Sequence, residues 1–136
     1  MEYRDLGKTG VRVSAICLGT AFRSQEDEET CIRIIDRALD LGCNFIDTGL
    51  YGAGRSEEIV GKALKGKRHD VVLNTKIGGL LGDGPNRRRL NRLTLMQGFE
   101  ASLRRLQTDH IDLYLLHRFA PETPLEVTAG SETPPT

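Results

Sequence analysis

The strongest constraint on this chain is a repeating alternation: short apolar runs close on polar residues, and stretches of helical period lie between them. Ala15-Ile16-Cys17-Leu18 closes on Gly19-Thr20, Phe45-Ile46 on Asp47, Val71 to Thr75 on Lys76, and Ile111 to Leu116 on His117. Continuous apolar runs of this length suit parallel strands buried on both faces. Between them Cys31, Ile35, Ala38 and Leu39 recur at helical spacing until Gly42. Ile59, Val60, Ala63 and Leu64 do so until Gly66, and Leu95, Phe99, Leu103 and Leu106 mark a third helix. The predicted order is a hairpin followed by β, α, β, α, β, α, β, which means a parallel sheet in an α/β fold. All strand ends then point one way with neighbours ~4.8 Å apart, so Asp47, Lys76 and His117 fall within ~10 Å of one another if the strands pair in sequence order.

The connections carry their own signals. Tyr3–Leu6 and Val11–Val13 flank Gly7-Lys8-Thr9-Gly10, a hairpin with glycines where a tight reversal needs positive φ. Glu26, Asp27, Glu28 and Glu29 read as the solvated start of a helix, and Ser56 before Glu57 and Glu58 predicts a hydroxyl cap with negative charge over the first turn. Residues 78–92, with Arg87, Arg88, Arg89 and Arg92, predict a solvated basic loop too polar to pack, with contact to an anion or substrate as the alternative. Pro124-Leu125-Glu126-Val127 opens a further helix, after which 128–136 reads as a disordered tail, leaving 1–127 as the folded unit.

Composition narrows the partners. Lysine plus arginine and aspartate plus glutamate stand at 19 each in 136 residues, so no net field draws the chain to nucleic acid or an anionic membrane. The amino terminus shows no apolar run suited to a signal or a span, which makes the expected location cytoplasmic. Cys17, Cys31 and Cys43 lack CxxC spacing and read as buried structural thiols in a reducing compartment, with no metal site.

The stretch from Cys43 to Glu58 concentrates the chemistry: a strand ends on Asp47, a turn carries Tyr51, and a helix follows. That is where α/β folds place working groups. A phenol is a poor proton donor at neutral pH, but an adjacent ammonium stabilises its phenolate, a role open to Lys76. Asp47 would aim the ammonium, and His117 would hydrogen-bond a carbonyl oxygen or pass on a proton. Gly52-x-Gly54 lacks the third glycine of a dinucleotide loop, and Glu57 and Glu58 stand where a phosphate would sit.

Phe45-Ile46-Asp47-Thr48, Tyr51-Gly52-x-Gly54-x-Ser56-Glu57, Thr75-Lys76 and Ile111-Asp112-Leu113-Tyr114-x-x-His117-Arg118 together resemble the aldo-keto reductase family of NADP-dependent oxidoreductases. The resemblance implies a TIM-type (β/α)8 barrel with a hairpin across its bottom, NADPH as cofactor, and reduction of an aldehyde or ketone to an alcohol. It implies Asp47, Tyr51, Lys76 and His117 as catalytic residues and Gly19, Thr20 and Asp47 at the nicotinamide. The tyrosine falls one residue closer to the aspartate than in the family pattern. At 136 residues the chain is about half of a ~250-residue barrel, so the expected object is a truncated half-barrel: the hairpin, about four parallel strands and three helices. Two readings follow, a reductase completed by whatever closes the barrel and a non-catalytic half-barrel fragment that binds a partner or has no function. Either way, open strand edges predict self-association.

Overall fold

The computed structural model describes residues 1–23, 27–78, 83–86 and 89–130. Strands β1 (Tyr3–Asp5) and β2 (Arg12–Ser14) form the antiparallel hairpin. Four parallel strands follow, β3 (Leu18–Gly19), β4 (Phe45–Asp47), β5 (Val72–Ile77) and β6 (Leu113–Leu116), paired in chain order. Helices α1 (Glu28–Asp40), α2 (Arg55–Ala63) and α3 (Arg92–Leu106) connect them, and α4 (Leu125–Gly130) follows β6. This is a partial (β/α) barrel, open at β3 and β6 among the described residues.

The outer face of the sheet makes the main core. Ile46 and Leu73 are fully buried against Cys31 and Ile35 of α1, Ile59 and Val60 of α2, and Leu106 of α3. Each such side chain contributes about 1.5–3 kcal/mol by leaving water. A β-carbon on Gly61 would stand 2.6 Å from the Leu106 carbonyl oxygen, so only glycine lets α2 approach α3 this closely. α1 begins at Asp27, whose carboxylate accepts the Thr30 amide at 2.8 Å, and the Thr30 hydrogen bonds hold its pKa below the usual 3.8. The hairpin is fastened at the amino end of the sheet, where the Asn44 side chain accepts from Ser14 N at 2.7 Å and donates to the Arg12 carbonyl.

Several local expectations change. Ser56 does not cap α2: Gly54, left-handed at φ 101°, occupies that place, and the Ser56 hydroxyl donates to the Phe22 carbonyl at 2.6 Å. Ala15 to Cys17 precede the short β3 rather than forming it. The segment before α3 is not wholly solvated, because Leu90 is buried with Ile77, Leu95 and Ala120, and Arg92 opens the helix. α4 runs through Gly130, and Thr128 is buried with its hydroxyl donated to the Leu90 carbonyl. Glu26, Gly79 to Gly82, Arg87, Arg88 and 131–136 lie outside the described residues. Cys31 and Cys43 are buried as expected, but Cys17 is exposed, since it lies on the sheet side that no helix covers.

Candidate functional site

Strand register builds the site. Gly19 pairs with Asp47, Asp47 with Asn74, and Asn74 with Leu113, so these stand at one level across the sheet. Lys76 lies two residues further along β5, on the same face as Asn74. His117 follows β6 and its amide donates to the Ile77 carbonyl at 2.6 Å, one level higher again. The polar groups thus climb from strand to strand, in keeping with the stagger of a closing barrel.

At the carboxyl ends these groups meet. The Lys76 ammonium donates to Asp47 Oδ1 at 2.5 Å and to the Thr48 carbonyl at 2.9 Å. The Asn74 amide donates to the same carboxylate oxygen. The Asp47 side chain is 31% exposed and that of Lys76 13%, so the pair is screened by the sheet while remaining open on one side. Tyr51 opens the turn Tyr51–Gly54, and its ring centroid lies 5.5 Å from Lys76 Nζ. His117 meets the Tyr51 ring edge-on at 5.8 Å and is itself exposed, while the Arg23 guanidinium stands 5.9 Å from the ring centroid. Asp47 and Tyr51 from one stretch, Lys76 from β5 and His117 after β6 therefore form a connected series, Asp47 to Lys76 to the Tyr51 ring to His117.

The turn's backbone explains the spacing of its glycines. Gly52 at φ 60° and Gly54 at φ 101° adopt left-handed conformations, and a β-carbon on Gly52 would stand 2.7 Å from the Arg23 carbonyl oxygen. Ala53 shares the conformation at φ 57°, a strained setting for a residue with a β-carbon.

Of the other expected site residues, Gly19 is exposed with nothing within 4 Å of its β-carbon position. Thr20 is fully buried, and its hydroxyl donates to the Asp47 carbonyl at 3.0 Å, which leaves its side chain bracing Asp47 rather than facing the open side. Sequence reasoning missed Asn74, although its two-residue offset from Lys76 places it on the same strand face. It missed Arg23, which no pattern signals. It also misplaced Glu57, which is fully buried behind the sheet, with Oε1 accepting from Thr75 Oγ1 and Oε2 from Arg105 Nε, both at 2.6 Å.

Cys17 lies near the same carboxylate. Although the residue as a whole is exposed, burial of its thiol and then the Asp47 charge raise its pKa from 9.0 to about 11. A raised thiol pKa leaves less thiolate at neutral pH. Iodoacetamide at pH 8 is therefore expected to modify Cys17 about 100-fold more slowly than an ordinary exposed thiol, with Asp47→Asn speeding the reaction. Peptide mass spectrometry over time measures this, and modification at the ordinary rate would contradict it.

Similarity to known proteins agrees with this geometry. The aldo/keto reductase family profile matches residues 15–131. The chain is 47% identical to the uncharacterized oxidoreductase YrpG of Bacillus subtilis (strain 168), an alignment covering 91% of this chain and 42% of that protein. It is 45% identical to the aldo-keto reductase YhdN of the same organism, over 95% of this chain and 41% of that one. A solved structure of the aldo-keto reductase AKR11C1 from Bacillus halodurans in its holo form superposes with a TM-score of 0.86 at 39% identity, covering 96% of this chain and 45% of that one. The chain thus spans less than half the length of the relatives it matches. With the profile spanning every element from β3 through α4, and the polar cluster at the strand ends, the chain belongs to the aldo/keto reductase family.

Proposed function

We propose that this chain carries the proton-donating part of an NADPH-dependent reductase that converts an aldehyde or ketone to an alcohol, with Tyr51 as the donor. The observation that carries this reading is the Lys76 ammonium, fixed by Asp47 at 2.5 Å and lying 5.5 Å from the Tyr51 ring centroid. Asp47 and the Thr48 carbonyl keep the ammonium aimed. The ammonium then stabilises negative charge on the phenol oxygen as its proton moves to the carbonyl oxygen. His117, exposed at the ring's edge, is placed to donate a hydrogen bond to the same oxygen. NADPH, when bound, would supply the hydride. The open space over Gly19 and the exposed side of Asp47 suit a flat nicotinamide, with Thr20 acting indirectly by holding the Asp47 backbone.

These contacts reach only the nicotinamide end, so the chain alone is expected to bind NADPH weakly. Calorimetry tests this; micromolar or tighter binding by a verified monomer would contradict it. Joining the complementary half of a relative such as YhdN behind Glu126 should give a protein that consumes NADPH with a reactive aldehyde. No consumption by a well-folded fusion would reject the reading. A cytoplasmic location belongs to this reading too, since Cys17, Cys31 and Cys43 are free thiols that suit a reducing compartment.

The open edges favour a second reading for the chain by itself, a non-catalytic, self-associating half-barrel. Ile16 is 64% exposed, Leu115 45% and Phe119 73%, near strands β3 and β6 that each have an unpaired edge among the described residues. A second copy related by a twofold axis would pair each β6 with the other's β3 and complete an eight-stranded barrel. Light scattering across a dilution series is expected to show a dimer, and a cooperatively melting monomer at the lowest concentration would exclude it.

A further inference from the structure

We propose that Arg105, reaching from α3 to the buried Glu57 and across Gly54, is a positioning residue that sets where the Tyr51 ring lies relative to Lys76 and His117. The inference rests on the reading of Tyr51 as proton donor and adds a determinant of its placement. The turn Tyr51–Gly54 has no side-chain cap at its start, and its three residues after Tyr51 are all left-handed. Its position is therefore decided by what it leans on. On one side Gly52 rests against the Arg23 backbone. On the other, a β-carbon at Gly54 would stand 2.5 Å from Arg105 Cδ and 2.8 Å from Nε, so the Arg105 side chain lies directly over the Gly54 backbone.

Arg105 is itself held. Its Nε donates to Glu57 Oε2 at 2.6 Å and its Nη2 to Ser102 Oγ at 3.3 Å. Glu57 is fully buried, and its other oxygen accepts from Thr75, the residue before Lys76 on β5. One carboxylate thus ties together the start of α2 just after the tyrosine turn, the strand that presents Lys76, and the arginine that presses on the turn. A charge-assisted contact to a fully buried carboxylate is directional enough to fix a backbone. Geometry between donor and reacting atoms is critical, since misplacement by about 1 Å can cost on the order of 10²-fold in rate.

The test is NMR spectroscopy of the chain with labelled tyrosine and histidine rings, without cofactor or substrate. The wild type should show inter-ring cross-peaks between Tyr51 and His117. The double variant Glu57→Gln with Arg105→Met, which leaves no buried charge unpaired, should lose them while the amide contacts pairing β4 with β5 persist. Arg105→Lys keeps a positive charge for Glu57 but lacks the Nε–H that holds the side chain over Gly54, and should lose the same cross-peaks. It decides the matter if the double variant loses its core. Cross-peaks unchanged in Arg105→Lys with the sheet intact would overturn the proposal. An error in assigning Tyr51 as donor shows up elsewhere, as unchanged turnover in Tyr51→Phe, and leaves the ring contact in place.

Discussion

Tyr51→Phe in the barrel completed with a relative's second half is expected to lower turnover of a reactive aldehyde by on the order of 10²–10⁴-fold, the usual contribution of a positioned general acid. Only the hydroxyl is removed. The ring keeps its edge-on contact with His117 and its place 5.5 Å from Lys76, so melting temperature and NADPH affinity should stay near wild type. A fall in kcat with both unchanged locates the loss in proton transfer rather than in binding or folding. Lys76→Met should reduce turnover by the same route, but it leaves Asp47 without its ammonium, so some stability is lost as well. The two variants are therefore separable by thermal melting. If Tyr51→Phe retains full turnover, including when one residue is inserted after Gly49 to match the family's loop length, the proton comes from elsewhere and the proposed role of Tyr51 falls.

The strand order and the placing of Asp47, Lys76 and His117 at one end of the sheet were legible because each residue interrupts an apolar run, and a parallel sheet brings such interruptions to one end. The family motifs pointed to Tyr51 on the same stretch. What could not be read depends on contacts made at long range. Glu57 looks like any acid in the first turn of a helix, and nothing local reveals that an arginine 48 residues later buries it. Ser56 looks like a cap because serine favours that role, yet the left-handed Gly54 takes the position and frees the hydroxyl for Phe22. Cys17 sits in an apolar run and reads as buried, but its exposure depends on which sheet face the helices cover, which periodicity alone does not tell. Leu90 shows the reverse: one apolar residue in a polar segment is enough to anchor it beneath α4.

Arg105→Met alone is expected to destabilise the fold by about 3–5 kcal/mol, because removing one partner of a buried ion pair strands the other charge away from water. Glu57 has no exposed surface, so among the described residues its carboxylate would keep only the Thr75 hydroxyl at 2.6 Å. A single neutral hydrogen bond does not offset the desolvation of a carboxylate. Adding Glu57→Gln should recover most of the loss, since a neutral amide can still accept from Thr75 without a counter-charge. The comparison is by urea unfolding at one protein concentration, because any self-association would shift the midpoint. Equal stability of Arg105→Met and wild type would mean that the carboxylate finds water or another partner. The pair would then be dispensable to the core, and the start of α2 would be fixed by the Ser56 hydroxyl on the Phe22 carbonyl instead.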